Sequence, residues 1–232
     1  MIRNLKALGL ALVAVFAMSA MAASGASAQA LTADGPVTLD GTEVGAPNEN
    51  ALTSFGGVTR CPESTYTGHK VNATPHELIP SGASEVTLTP NYNQPACVSE
   101  SGGSSFSSTV EMTSCDYVLT IGATTGGEGT YGVSAAVDCA PGDAIHVTQF
   151  AGESHGFRVC SVTVPEQGGL TGAHVTDQGN GHLLLKGTFT GIEASRSGLC
   201  GATSTTEGEF HVNATVNGTD DEGNATAVSL SD

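Results

Sequence analysis

The sequence predicts an all-β protein, built as an antiparallel β-sandwich or barrel with glycine-rich loops and three disulfides. Three observations lead to this fold class: apolar side chains recur with period two in many short runs, glycine-rich segments separate those runs, and the six cysteines can pair completely. Alternation with period two is typical of strands with one buried face, and regularly spaced short strands favour a sandwich or barrel. No segment after the N-terminal leader carries an apolar stripe of helical period over three turns.

The strand pattern is clearest near the C-terminus, where Phe210, Val212 and Ala214 fall on one face of a predicted strand. Residues 131–137 repeat this alternation, whereas residues 183–192 are apolar on both faces, which is typical of a central strand. Glycine, proline and serine mark the turns between such runs. These turns lie at Pro80-Ser81-Gly82, 101–105, 124–129, Pro141-Gly142-Asp143, Gly168-Gly169 and 177–181.

Residues 1–28 have the pattern of a secretion signal peptide. Arg3 and Lys6 supply a positive start, an almost unbroken apolar run follows, and small residues lead to a cleavage site after Ala28, with Ala30 as the second choice. The rival interpretation is a membrane anchor, which is disfavoured because the apolar run is shorter than the roughly 20 residues that span a bilayer. We therefore expect a secreted protein, extracellular or in the cell envelope, with no membrane span after cleavage.

The chain after the leader is interpreted as a single β domain over residues 51–232. Residues 29–50, rich in glycine, asparagine and acids, are expected to form a loose N-terminal arm or an edge strand. The alternative is two small β domains that divide near residue 140. A mature chain of roughly 200 residues can bury a core in either arrangement.

The charge balance excludes some partners. Two of the seven Lys and Arg residues leave with the leader, so five basic residues oppose 23 acidic ones and the expected net charge is −18. A chain with so few cations cannot neutralise phosphates, which argues against nucleic-acid binding and against attraction to anionic lipid surfaces. Since the chain has no tryptophan and 5% aromatic residues, we expect a core made mainly of Val, Leu, Ile and Ala.

The cysteines, which all follow the leader, are predicted to be structural. An even number of cysteines in a secreted chain favours complete pairing, although sequence alone leaves several connectivities open. From the predicted strands and the loops between them we expect Cys97–Cys115, Cys139–Cys160 and a long-range Cys61–Cys200 bridge. Zinc ligation is the alternative, but no C-x-x-C spacing occurs and no histidine lies two to four residues from a cysteine.

Five segments of the chain carry a family resemblance: FGGVTRCPESTYTGH, VTLTPNYNQPAC, SCDYVLTIG, VDCAPGDAIHV and VCSVTVPEQ. Together with the leader they resemble a group of uncharacterised secreted proteins of actinobacteria, over most of residues 51–200. The resemblance implies a bacterial extracellular or envelope location and is compatible with disulfides between cysteines that are neighbours in sequence. It implies no catalytic residue and no chemistry.

Three local patterns are candidates for chemical sites. Residues 152–156 match G-x-S-x-G, but a strand-like segment follows them where a hydrolase elbow needs a helix, which favours a loop. His146 and His211 fall on outward positions of their strands, where solvated side chains are expected although two could meet and bind a metal. Asp220-Asp221-Glu222 offers oxygens that suit calcium, yet the spacing matches no EF-hand loop and favours a solvated turn. The sequence thus marks no catalytic residue, metal ligand or cofactor.

The sequence leaves the biochemical function unknown. The favoured hypothesis is a secreted or envelope-associated, non-enzymatic binding or structural module that meets an extracellular or envelope ligand through loops on a rigid scaffold. One alternative is a secreted hydrolase whose site forms only in three dimensions. The other is a protease inhibitor or toxin-like effector that presents a disulfide-rigidified loop.

Overall fold

The structure is a computed structural model, and it describes residues 29–44, 50–62, 64–71, 77–92, 97–125, 127, 129–151 and 156–231. The described chain contains strands and no helix, so the all-β prediction is confirmed. Accordingly, nothing in these ranges forms a helix of the length and apolar character that crossing a membrane requires. The predicted signal peptide, residues 1–28, lies outside the described residues.

The described chain forms β-strands that we number in chain order. They are β1 (Ala30–Ala33), β2 (Thr38–Glu43), β3 (Ala51–Ser54), β4 (Gly57–Arg60), β5 (Ser64–His69), β6 (Glu85–Tyr92), β7 (Cys97–Ser101), β8 (Ser104–Glu111), β9 (Cys115–Thr124), β10 (Thr130–Cys139), β11 (Ala144–Ala151), β12 (Phe157–Pro165), β13 (Gln167–Asp177), β14 (Leu183–Gly198), β15 (Thr203–Thr219), β16 (Ala225–Thr226) and β17 (Val228–Ser231).

These strands combine into eight long antiparallel passes of the chain. Six passes consist of two strands in succession, namely β2/β3, β4/β5, β6/β7, β8/β9, β10/β11 and β12/β13, while β14 and β15 are each a pass by themselves. Successive passes pair along their whole length. For example, β6 pairs with β9 at Leu88↔Tyr117, and β7 pairs with β8 in the same register at Cys97↔Ser108. The fold is therefore an up-and-down meander.

The meander closes into a ring because its last pass pairs with its first. β15 pairs with β14 on one side and with both β2 and β3 on the other. The ring has two levels, which we call basal (β2, β5, β6, β9, β10, β13) and apical (β3, β4, β7, β8, β11, β12), and the long β14–β15 hairpin runs through both. Residues 183–192 lie in β14 between two paired neighbours, as predicted for a central strand.

The junction of β2 and β3 is bridged by an asparagine side chain. Asn50 is buried, its Nδ2 donates to the carbonyl oxygen of Asn213 at 3.1 Å, and its Oδ1 accepts from the Asn213 amide at 3.2 Å. The Val44 amide also donates to the Asn213 carbonyl oxygen, at 3.0 Å. The backbone of β15 is thus satisfied where the first pass changes from one strand to the next.

The interpretation of residues 29–50 as a loose arm or an edge strand was wrong for β2. This strand is flanked on both sides, by β15 and β5, and its Leu39 is buried in the core. β1 instead forms a separate two-stranded sheet with β17 and buries Leu31 beside Val228. The sequence hid this role, because Leu39 is the single clearly apolar residue of β2 and a glycine, Gly41, holds the next buried position.

The core lies inside the ring. Tyr131, Val133, Ala135 and Val137 of β10 are buried, and the residues between them are more exposed, which confirms the predicted alternation. As expected, the buried set is mainly Val, Leu, Ile and Ala. The basal and the apical level each contain strands from before and after residue 140. Two domains that divide near residue 140 would each hold part of both levels, so we keep the interpretation of a single domain.

The three disulfides join Cys61 to Cys97, Cys115 to Cys139 and Cys160 to Cys200. The expected Cys97–Cys115, Cys139–Cys160 and Cys61–Cys200 pairs were therefore wrong. Cys97 and Cys115 also lie on neighbouring passes, as do Cys139 and Cys160, but the ladders place Cys97 opposite Ser108 and Cys160 opposite Gln149.

The register explains these pairs. Cys115 lies directly opposite Cys139 in the β9–β10 ladder, with Cα atoms 4.1 Å apart. Cys61 follows β4 and faces Cys97 at the start of β7, at a Cα–Cα distance of 4.2 Å.

Non-reducing peptide mapping of the protein should recover these three observed bridges. Replacing both Cys115 and Cys139 with alanine should lower the free energy of unfolding by about 3 kcal/mol, because the bridge closes a loop with a sequence separation of 24. Urea denaturation measures this loss, with the wild-type protein as the reference. Recovery of a Cys97–Cys115 or Cys139–Cys160 peptide would contradict the observed ladder.

Candidate functional site

The ring encloses three adjacent cavities. The central one has a volume of about 70 Å³ and lies where the two levels meet, lined by strands of both. A basal cavity of about 50 Å³ shares Leu88, Leu119 and Leu185 with it. An apical cavity of about 30 Å³ shares Thr59 with it. The three cavities therefore form a row through the interior.

The polarity of the walls changes along this row. The basal cavity is lined by Val, Leu and Ile alone. The central cavity is largely apolar but includes three tyrosines, Tyr66, Tyr92 and Tyr117. The apical cavity contains Arg196 and Gln149 together with several hydroxyl side chains. An elongated molecule with an apolar part and a polar end would match this order.

The tyrosines form a packed cluster on three neighbouring passes. The hydroxyls of Tyr92 and Tyr117 are hydrogen-bonded at 2.7 Å. The rings of Tyr66 and Tyr92 meet edge to face, with centroids 6.5 Å apart, and Tyr117 stacks on Phe210 at 6.1 Å. Aromatic pairs at these distances contribute beyond their buried area.

Tyr66 differs from the other two tyrosines because its hydroxyl is unpaired. Its side chain is 5% exposed, and Oη has no hydrogen-bond partner among the described residues. The hydroxyls of Ser64 and Tyr92 are near enough to moderate its pKa, but neither meets Oη with hydrogen-bond geometry. Tyr66 therefore presents an unsatisfied polar atom in the wall of the central cavity.

Glycines give the Tyr66 ring its space. A Cβ added at Gly41, the residue opposite Tyr66 in the β2–β5 ladder, would lie 3.1 Å from the Tyr66 Cβ. A Cβ added at Gly68 would lie 2.7 Å from the Leu39 Cβ, closer than side chains can pack. Gly41 thus leaves space for the Tyr66 ring on the inner face, and Gly68 leaves space for Leu39.

Burial raises the pKa of all three tyrosines, because the charged phenolate is poorly solvated in the interior. The pKa of Tyr117 rises to about 12, with burial as the main cause. For Tyr66 and Tyr92 burial is again the largest cause, and repulsion from Tyr117 raises the pKa further. The cluster thus stays neutral at physiological pH and acts through its hydroxyl dipoles and its ring faces.

The apical cavity is built around Arg196 of β14. Its guanidinium Cζ lies 5.1 Å from the centre of the Phe55 ring, within cation–π range. Its Nε is buried without an acceptor, and no described carboxylate forms an ion pair with it. Phe55 and Gly56, both with positive φ, form the tight turn between β3 and β4 that places the Phe55 ring there.

A row of buried hydroxyls lies next to the apical cavity. Ser99 and Ser108 are fully buried, and the Ser108 hydroxyl donates to Ser99 Oγ at 2.6 Å. The hydroxyl of Thr59, which lines both the central and the apical cavity, is bonded to Ser99 Oγ at 2.7 Å. These bonds satisfy the hydroxyls and fix the side chains at the boundary between the two cavities.

The histidines and the acidic turn that the sequence offered as candidate sites do not line the three cavities. His146 Nδ1 is hydrogen-bonded to Thr163 at 3.2 Å and His211 Nδ1 to Thr188 at 2.8 Å, on separate strands. Across the described ranges no three His, Cys, Asp or Glu side chains come together as metal ligands would. Ser154 of the G-x-S-x-G match lies outside the described residues.

The carboxylate of the acidic turn forms hydrogen bonds within the turn itself. Asp220 Oδ1 accepts from the amides of Glu222 and Asn224, at 3.0 and 2.7 Å. These hydrogen bonds, the Asn224 amide first among them, lower the pKa of Asp220. The turn residue thus holds its own backbone, as is common for aspartate in turns.

The sequence reasoning missed the tyrosines and Arg196, although a signal for them existed. Tyr66, Tyr92 and Tyr117 are three of only four tyrosines in the chain, and all three lie in strands. Arg196 continues the inward parity of Ile192 and Ala194, a position where an arginine is unusual.

No protein-family model, no curated protein and no solved structure matches this chain.

Replacing Tyr92 with phenylalanine should lower the free energy of unfolding by about 1 kcal/mol, because it breaks the bond to the Tyr117 hydroxyl. Tyr66→Phe removes an unpaired hydroxyl and should leave stability unchanged or raise it by up to about 1 kcal/mol. Urea denaturation of the matched pair measures both. Equal losses would show that Tyr66 Oη is bonded in solution.

Alkaline pH should unfold the protein. Tyrosine in the unfolded chain ionises near pH 10, whereas Tyr117 in the folded protein has a pKa of about 12. The raised folded pKa means that this stability is complete below pH 10 and is lost as the pH rises towards 12. Tyrosinate absorbance should therefore rise together with loss of the near-UV circular dichroism signal. Ionisation of this cluster in a protein that stays folded would refute this expectation.

Proposed function

We propose that this protein is a secreted or envelope-associated, non-enzymatic binding module that holds a small, largely apolar molecule inside its ring. The observation that supports this most directly is the row of three cavities with shared walls. Well-packed interiors contain few voids larger than a water molecule. Three neighbouring cavities with shared lining residues in one small protein are more typical of a binding site than of a structural core.

Interior cavities are costly for stability. Cavity volume destabilises a core by about 24 cal/mol per Å³, so the central cavity alone corresponds to roughly 2 kcal/mol. An apolar molecule that fills this space restores the lost contacts and stabilises the folded chain. The three disulfides and the closed ring brace the walls of the cavity, which lowers the ordering cost of binding.

This proposal changes the place of binding that we expected from the sequence. The sequence favoured recognition through loops, whereas the interior of the ring offers the better-defined site. The proposed location remains outside the cytosol, since the predicted leader and the disulfides are compatible with secretion. A bacterial source of the actinobacterial secreted type is proposed on the resemblance alone.

Octan-1-ol, added as a neutral apolar probe to the mature protein, should shift the methyl NMR signals of Leu88, Leu185 and Val147. Ala135→Leu should abolish these shifts, because Ala135 lines the central cavity and a larger side chain fills it. The control is Ala123→Leu, at an exposed position of β9, which should shift like wild type. Absence of any methyl shift in wild type, or unchanged shifts in Ala135→Leu, would disprove interior binding.

A further inference from the structure

Arg196 stands apart among the cations of this acidic protein. The chain after the predicted cleavage site has five Lys and Arg residues, and all five lie in the described part. Arg60 pairs with Glu100 at 2.7 Å and Lys70 pairs with Glu77 at 2.9 Å, both at the surface. Of the five, Arg196 alone lines one of the three interior cavities.

The donors of Arg196 are unused. Its buried Nε has no acceptor, and its guanidinium makes neither a hydrogen bond nor an ion pair with any described residue. The Arg196 Cζ lies over the Phe55 ring, 5.1 Å from its centre, and an aromatic ring accepts none of the in-plane hydrogen bonds that a carboxylate accepts. A buried N–H without an acceptor costs stability, so a group that accepts from it would bind favourably.

The surroundings of Arg196 suit a carboxylate. A guanidinium and a carboxylate match as a planar, two-point pair. Gln149 and Ser101 line the same cavity and add an amide and a hydroxyl as further donors. A cavity of about 30 Å³ with a single cation suits a small group of one negative charge, and the acidic remainder of the protein disfavours anions of higher charge.

The rest of such a ligand would lie in the apolar cavities. Thr59 belongs to the walls of both the apical and the central cavity, so these spaces adjoin. The volumes of the three cavities together are comparable with the roughly 150 Å³ that suffices to bind benzene in an apolar core. Because this volume is spread along a row, an unbranched chain of moderate length fits it better than a ring system.

We infer that the molecule held in the interior is a straight-chain monocarboxylate, with its carboxylate on Arg196 in the apical cavity and its aliphatic chain in the central and basal cavities. This inference rests on the proposed function, because it specifies the ligand of the same interior.

Isothermal titration of the mature protein with octanoate and with octan-1-ol tests the inference. In wild type octanoate should bind at least about tenfold more tightly than octan-1-ol, because only octanoate has the charged end that pairs with a guanidinium. Arg196→Gln should remove this preference and leave octan-1-ol binding within about twofold of wild type. Arg196→Lys should keep part of it, because the charge remains while the two-point geometry is lost.

The matched control is Arg158→Gln, an exposed arginine of the apical β12, which changes the net charge equally. It should bind octanoate like wild type. Equal weakening by Arg158→Gln and Arg196→Gln would overturn the inference, because the effect would then be one of general charge. Each variant is first shown to have the wild-type disulfide map, and Arg196→Lys provides the test should Arg196→Gln not fold.

The outcomes separate the inference from the proposed function. Equal affinity of wild type for octanoate and octan-1-ol would refute the carboxylate site and leave interior binding supported. Failure of both probes to bind would refute both. Octanoate binding that survives in Ala135→Leu would place the carboxylate site outside the row of cavities and would also overturn the inference.

Discussion

The pairing of β15 with the first pass of the chain is the constraint on which the rest of the structure depends. It closes the meander, and closure creates an interior rather than a two-faced sheet with exposed edges. This pairing is interrupted between the end of β2 and the start of β3. There the Asn50 side chain forms hydrogen bonds with the Asn213 backbone, one as donor and one as acceptor. An aliphatic residue at that point would remove both of these hydrogen bonds, which is destabilising in a buried position.

On the other side of the ring, two disulfides lie at the places where passes change from one strand to the next. The passes change strand between β4 and β5, between β6 and β7, between β8 and β9, and between β10 and β11. Cys61–Cys97 joins the first two of these junctions and Cys115–Cys139 joins the other two. Covalent bonds therefore hold neighbouring passes together where strands end and begin. The central cavity lies at this same height, with Cys61 in its wall.

The fold class followed from the sequence because alternation and turn chemistry are local properties, and residues 131–137 show both without tertiary context. Closure was not predictable, because β2 has only one clearly apolar side chain, Leu39, and its pairing partners lie far away in sequence. The disulfides were mispaired for a similar reason: only the ladder register places Cys115 opposite Cys139. Arg196 was overlooked although it keeps the inward parity of Ala194, because an inward charge has meaning only once an interior is known.

The two ends of the interior differ. At its basal end the β1–β17 ribbon and the fully buried Ile79, which is bonded to Val37 through both backbone groups, pack over the core. At its apical end the ring finishes in the hairpin turns at Phe55 and Leu199, and Leu199 is largely exposed. The walls change in the same sense, from aliphatic residues through tyrosine and threonine hydroxyls to Arg196. In the proposed complex the aliphatic chain lies towards the basal end and the charged end lies beside Arg196 near the apical turns. An amphiphile in this position buries its chain and keeps its charged group close to water. The order of the walls thus favours the orientation that we propose for the carboxylate ligand.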